Sequence, residues 1–410
     1  MLNKLDKLYH KVRKHGIGRL FNILGYMCWQ RFRMIRFPLA VNPRFYYYLA
    51  KLILVPNFAK KRILGIWDYK SLPWDVGDPL VFIETLSILK IKYDAEEIDI
   101  CVVYDRDKPL GKRTKFLGDP ITPENHQEYS LEYLPLYSTC PYLGTVYQFN
   151  SRREFYRFLK MNYDCYDIFP PLSQHLGETY DYYDSAASEM KMIEEFFDSY
   201  GHIPFLRIGE RDQSWARWFY LNYLPEGSIS IALSLKMTSH DPIRNADPAV
   251  WLSFMDRCKI AFPELVFIII GLREEVFDGL RERENVVIAK DHGTSLVEDF
   301  ALIRTSLLYM GIASGINTIA LFSDIPYLIF QLPNIHRYGL EEGRNWSFAN
   351  DRQRIFSTKI PVTPELLFKE FKELYSQLDQ STWRDRVLKK AYNKSSHPSA
   401  VVLQSVNSKT

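Results

Sequence analysis

From residue 62 onward, short runs of branched and aromatic residues alternate with longer stretches whose apolar positions recur at helical spacing. Residues 62–67 and 98–104 read as strands around a helix over 80–92. Such a β-turn-α-β unit closes with a right-handed crossover in a parallel sheet. Residues 105–150 are irregular and rich in Pro and Tyr, 151–161 has helical period, and 163–184 is dense in Tyr, Asp and Pro, the expected edge of a first domain. A helix restarts over 186–200. From 228 the alternation resumes, with strands over 228–235, 266–271, 286–289, 307–312 and 327–331 and helices over 248–261, 274–283, 296–305 and 317–322. A last helix over 364–378 starts with Pro364 at its first position.

The fold class predicted is α/β: two Rossmann-like domains facing across a cleft, behind a basic helical N-terminal extension. The expected boundaries are 1–61 for the extension, 62–185 for the first domain, 186–350 for the second, 351–394 for C-terminal helices and 395–410 for a polar tail. A length of 410 residues, 47% of them hydrophobic and 25% charged, excludes a disordered, collagen-like or wholly membrane-embedded chain. Five scattered cysteines with no C-x-x-C fit a reducing compartment better than a disulfide or zinc scaffold.

Charge changes the picture at one end. Residues 1–62 hold fourteen Lys or Arg and one acid, Asp6, in a chain of net charge +3, so the remainder is net negative. Apolar stretches at 20–29 and 45–55 interleave with Arg19, Arg31, Arg33, Arg36, Arg44 and Lys51, the composition of a segment that docks on an anionic membrane surface. A helix packed on the body and a nucleic-acid-binding arm are the alternatives. The uncharged stretch 305–323 contains Gly311, Ser314, Gly315, Asn317 and Thr318, turn chemistry that argues against a membrane span.

Ligands of open parallel sheets bind at the carboxyl ends of strands, so the strand-to-helix turns carry the candidate chemistry. In Trp74-Asp75-Val76-Gly77-Asp78-Pro79, Gly77 permits a tight turn. Asp78 stands at a helix start, either as an N-cap or as a carboxylate aimed into the cleft. In Ile312-Ala313-Ser314-Gly315-Ile316-Asn317-Thr318, backbone N–H groups with Ser314, Asn317 and Thr318 would form an anion site around Gly315, or merely cap a helix. Lys236 at a strand end and Arg244 before the Trp251 helix would neutralise a diphosphate, or be ordinary surface cations. Asp105 and Asp107 form a D-x-D that metal-dependent enzymes use and that also arises by chance, and His292 reads as a loop histidine. No G-x-G-x-x-G, Walker A loop, H-E-x-x-H or G-x-S-x-G elbow is present.

The turn at Val76-Gly77-Asp78, the stretch from Arg244 to Trp251, and Ile312-Ala313-Ser314-Gly315 through Ile325-Pro326 resemble the ADP-heptose:lipopolysaccharide heptosyltransferases and, more broadly, GT-B glycosyltransferases. The strand ending at Lys236 is more loosely similar to fucosyltransferase-like enzymes of that fold. The resemblance implies Asp78 as catalytic base, with Lys236, Arg244, Ser314, Gly315, Asn317 and Thr318 on the donor diphosphate. Two positions depart from the family pattern: Ala313 stands where an aspartate is expected, and Thr318 near the place of a histidine.

The function expected is an inverting, metal-independent glycosyltransferase of lipopolysaccharide-type biosynthesis, acting on a surface glycan or glycolipid. The partners expected are a nucleotide-sugar donor, a lipid-linked or glycan acceptor and the anionic inner face of the cell membrane, with no cofactor, metal or nucleic acid. The alternatives are a sugar-nucleotide epimerase or hydrolase, and a non-catalytic scaffold.

Overall fold

Strands that are buried on both faces read as unbroken apolar runs, and that is how the sheets of this protein are built. In the computed structural model, β1 (Arg62–Asp68) has six consecutive buried residues, and β2 (Ile98–Val103) is buried throughout. Between them runs α1 (Gly77–Lys92), which begins three residues ahead of the helix expected from the sequence. A small antiparallel pair, β3 (Lys115–Phe116) and β4 (Asp119–Pro120), precedes β5 (Leu143–Phe149), α2 (Arg152–Asn162) and β6 (Tyr166–Phe169). The first sheet has the order β5-β2-β1-β6, all parallel.

The structure describes residues 61–69, 72, 75–104, 115–116, 119–120, 133–171, 182–238, 242–333, 335–338, 340–341 and 345–388. The basic extension apart from Lys61, the Asp105–Asp107 pair, Trp74 and the polar tail therefore lie outside the described residues. One compact unit, Lys61–Pro170 with Thr179–Thr410, holds every described residue but Pro171, which belongs to a second unit of residues 1–60 and 171–178. Among the described residues, no helix is long and apolar enough to cross a membrane.

Two helices, α3 (Tyr182–Tyr200) and α4 (Glu210–Tyr223), lead to the second sheet. Its elements follow in the order β7 (Ile229–Ser234), α5 (Pro248–Ala261), β8 (Leu265–Ile270), β9 (Val286–Ile288), α6 (Leu296–Thr305), β10 (Leu308–Ile312), α7 (Thr318–Leu321), β11 (Tyr327–Leu332), β12 (Gln353–Ser357), α8 (Pro364–Tyr375) and α9 (Gln380–Leu388). The six strands are parallel in the order β12-β11-β10-β7-β8-β9. The chain builds outward from β7 through β8 to β9, then returns to the other side of β7 for β10. The order therefore reverses between β7 and β10, the place where doubly wound sheets open a crevice for ligands.

Five elements differ from what the sequence predicts. Over 274–283 a helix is expected, but only a single 3₁₀ turn, Arg273–Glu275, forms. Gly279 follows in the left-handed region at φ 87°, and Arg283 turns back to bond its carbonyl and to pair with Asp256 at 2.8 Å. The 143–149 and 166–169 stretches are strands, not loops. Asp99, fully buried in β2, draws them in: its carboxylate accepts from Thr145 N–H of β5 at 2.7 Å and from the Tyr166 hydroxyl of β6 at 2.7 Å, and pairs with Arg62 of β1 at 2.9 Å. The edge strand β12 and the helix α4 were also missing from the sequence reading.

Candidate active site

The turn after β1 folds around Asp75, not Asp78. The Asp75 carboxylate accepts the Asp78 N–H at 3.0 Å, Val76 occupies the N-cap, and Asp78 is the second residue of α1. Of the two alternatives for Asp78, the N-cap is therefore excluded. Asp78 is half-buried in the first turn, where the helix dipole favours a carboxylate.

On the second sheet, β10 ends at Ile312 and the chain enters the 3₁₀ turn Gly315–Asn317, then the four-residue α7. The Ala313 N–H donates to the Phe330 carbonyl at 2.7 Å, which ties the turn to β11. Asn317 and Thr318 are buried, while Ser314 and Gly315 are half-exposed. The helix here is shorter than the 317–322 expected, because the tight turn consumes its first residues.

The two turns touch. A Cβ placed on Gly315 would lie 2.7 Å from the Gly77 nitrogen and 3.2 Å from the Val76 Cβ; one placed on Gly77 would lie 3.0 Å from the Gly315 Cα and 3.3 Å from Thr318 Oγ1. Real Cβ atoms do not approach backbone nitrogen so closely, so glycine at 315 is a condition of this contact. Asp78 is thus one residue from a direct contact with the Ser314–Gly315 turn, although 236 positions of sequence separate Asp78 from Ser314.

The cations gather at the same reversal point. Lys236 follows β7 and is buried, and its carbonyl accepts the Ala246 N–H at 2.8 Å. Asn245 clamps the loop from both sides, donating to the Thr238 carbonyl at 2.9 Å and accepting its N–H at 2.8 Å. Lys236 and Arg244 are therefore held in one closed loop, and Arg244 reaches across to the Ala313 carbonyl at 3.2 Å. Asp247 caps α5 with Pro248 at its first position, and Trp251, fully buried against Phe254 and Phe330, fixes the helix that carries this loop.

Beside β7, Glu275 accepts the Leu272 N–H at 3.1 Å and the Met237 N–H; burial raises its pKa, and Lys236 opposes that rise. Asp299 of α6 joins the next two loops. Its carboxylate takes the Thr294 hydroxyl at 2.7 Å, pairs with Lys290 at 2.9 Å and accepts from the Gly271 backbone; burial pushes its pKa up to about 6. His292 packs its ring against Tyr223 at 3.8 Å and Phe219 at 5.5 Å. Among the described residues, no cluster of three or more His, Cys, Asp or Glu is placed to hold a metal ion.

One residue of this region escaped the sequence reading. Gln331, near the end of β11, adopts a left-handed backbone at φ 57°. Nothing in the alternation of apolar and polar residues signals it.

No family model matches the sequence, and no curated protein matches it. Solved structures do. A glycosyl transferase family 9 protein from Veillonella parvula is 12% identical with a TM-score of 0.51, the match covering 77% of this chain and 97% of that one. The ADP-heptose LPS heptosyltransferase II of E. coli is 12% identical with a TM-score of 0.48, covering 77% and 99%. The fucosyltransferase NodZ from Bradyrhizobium is 11% identical with a TM-score of 0.33, covering 67% and 96%. The likeness to the Veillonella protein extends over almost its whole length and shows the fold: this chain has the α/β, GT-B architecture expected from its turns.

Proposed function

We propose that the protein is a glycosyltransferase that moves a sugar from a nucleotide-diphosphate donor to a surface-glycan or glycolipid acceptor. The observation that supports this reading is the Gly77–Gly315 contact: the residue that precedes Asp78 lies against the turn that follows β10, and Arg244 is bonded to that same turn. An acid next to an anion-binding turn is what single-displacement sugar transfer requires.

In this mechanism Asp78 accepts the proton of an acceptor hydroxyl. The freed oxygen lone pair forms the bond to the anomeric carbon, and the bond from that carbon to the donor oxygen breaks with its electron pair on the departing diphosphate. One displacement inverts the anomeric configuration. Arg244, Lys236 and the Ser314–Thr318 turn stabilise the charge that accumulates on the diphosphate, Arg244 through forked donors and Lys236 as a point charge. Charge neutralisation by these groups makes a metal ion unnecessary in the step. The 1–60 segment would hold the enzyme on the anionic inner face of the membrane, near a lipid-linked acceptor.

Ala313, in the place of the aspartate of the heptosyltransferase pattern, favours one other reading, a non-catalytic scaffold that keeps the cleft. Thermal-shift titration with ADP, GDP, UDP and CDP and their sugar conjugates tests both, since selective binding to the folded state raises its melting temperature. Stabilisation followed by acceptor-dependent release of nucleoside diphosphate supports the transferase; stabilisation without turnover supports the scaffold; stabilisation by none removes both.

A further inference from the structure

Different helices cover the two faces of the first sheet. Right-handed crossovers put α1, which joins β1 to β2, on one face; α2, which crosses from β5 to β6 in the opposite direction, lies on the other. α1 packs against α3 and α7, whereas α2 packs on β2 and β5 through the buried Phe155 and Leu159. The outer side of α2 carries Arg153, Arg157 and Lys160, all exposed. At i, i+4 and i+7 they form one row, about 10 Å long at the helical rise. None of the three has an ion-pair partner among the described residues, and Glu154, the one acid of α2, stands to the side in its first turn. Met161, 77% exposed, and the half-buried Tyr156 flank the row. This row stands out on a body that is net negative once residues 1–62 are set aside.

Two connections give the row a direction. Arg152 turns inward to pair with Asp68, the last residue of β1, so α2 is pinned to the strand that leads into the Asp78 turn. At its other end α2 passes through the turn Tyr163–Cys165 into β6, where Tyr166 pairs with Arg62 and Asp167 meets Lys61 at 3.1 Å. The basic 1–60 segment is therefore joined to the body at the end of the sheet where α2 stops. Cations in one plane, flanked by methionine and tyrosine, match a partner that offers negative charge at any spacing and an apolar phase beneath it. A leaflet of anionic lipid supplies both, and a nucleic acid only the charge.

We propose that α2 docks on an anionic leaflet through Arg153, Arg157, Lys160 and Met161, a second contact beside the 1–60 segment of the proposed function, on whose membrane reading it builds. One contact of this kind binds reversibly and leaves the body free to turn. A second, built into the sheet that carries the Asp78 turn, fixes which side of the protein faces the lipid.

The test is co-sedimentation of the full chain with vesicles of about one-third phosphatidylglycerol in phosphatidylcholine, and with phosphatidylcholine alone. Wild type is compared with the triple variant Arg153→Gln, Arg157→Gln, Lys160→Gln, with Met161→Ser, and with Arg257→Gln, Lys259→Gln, Lys369→Gln, which removes the same charge from α5 and α8. The α2 triple should partition about fivefold more weakly for each cation lost, about a hundredfold in all, and only on the anionic vesicles. Met161→Ser should weaken partition by about fivefold, which a purely electrostatic partner would not register. All variants should melt within about two degrees of wild type, since the altered positions are exposed. An α2 triple that partitions like wild type, or a control triple that loses as much, would overturn the docking while leaving the 1–60 reading standing. A loss on duplex DNA with none on vesicles would assign the row to nucleic acid and overturn it too. A wild type that sediments with neither vesicle would remove the membrane part of the proposed function and this contact with it.

Discussion

Gly77 and Gly315 meet backbone to backbone: a Cβ on Gly315 would stand 2.7 Å from the Gly77 nitrogen. That contact joins the turn after β1 in the first sheet to the turn after β10 in the second. It brings Asp78 into the neighbourhood of Ser314, Thr318 and Arg244.

A methyl group at Gly315 must push the Gly77 backbone away. Gly315→Ala is expected to lower stability by about 1–3 kcal/mol, the usual cost of overpacking, and to reduce turnover further than the stability loss explains, because Asp78 moves with the turn. Denaturant unfolding and turnover measured on the same preparation check this; a variant as stable and active as wild type would show that the turns are not held together.

Two buried carboxyls on facing helices make stability depend on pH. Glu84 of α1 has both oxygens buried and unpartnered, and burial raises its pKa well above the usual carboxylate range. Glu189 of α3, against Thr85, is pushed up to about 8 by burial. An acid whose folded pKa lies above its unfolded value binds more protons when folded. Its contribution is therefore most favourable below pH 4.5 and weakens as pH rises toward 8. Glu189→Gln should gain on wild type across that window, by at most about 1.4 kcal/mol per pH unit. Urea midpoints at several pH values read this directly, and a difference that does not change with pH would contradict it.

Asp299→Asn breaks the link among Lys290, Thr294 and the Gly271 backbone. Leaving Lys290 without its buried partner is expected to cost about 3 kcal/mol, the low end for a broken buried pair because Lys290 is partly exposed, and to loosen the loops after β8 and β9. Hydrogen exchange should quicken at residues 271–275 and 290–296 while β1 and β2 stay protected; unchanged exchange there would show that the carboxylate does not knit the loops.

Much of this arrangement was legible in the chain. Strands such as β7 and β8 are buried in full, so they stand out as unbroken apolar runs. Asp78, Gly77, Ser314 and Gly315 sit in turns whose composition announces a strand-to-helix junction. The edge strands β5 and β12 were hidden because their half-exposed residues mix apolar and polar without a clean period. Helix α4 was hidden by Trp218, Leu221 and Tyr223, exposed side chains that blur its apolar face. Glu275 drew a false helix because its acidic, helix-favouring neighbours could not show the left-handed turn at Gly279. Gln331 was invisible because its left-handed backbone sits at a register shift between β11 and β12, which no local pattern encodes.

Arg244→Ala should weaken nucleoside diphosphate binding by about tenfold or more and flatten its salt dependence, since the guanidinium that neutralises the anion is gone. Titration of ADP, GDP, UDP and CDP at low and high salt separates this from a general loss of fold. Binding equal to wild type at both would take Arg244 out of the donor site.

The most direct measurement is single-turnover sugar transfer by Asp78→Asn, with donor affinity measured on the same protein. The carboxamide keeps the shape of the turn and cannot accept the acceptor proton, so transfer should fall by about a hundredfold or more while the donor binds as it does to wild type. Transfer at the wild-type rate would contradict the assignment of Asp78 as the base.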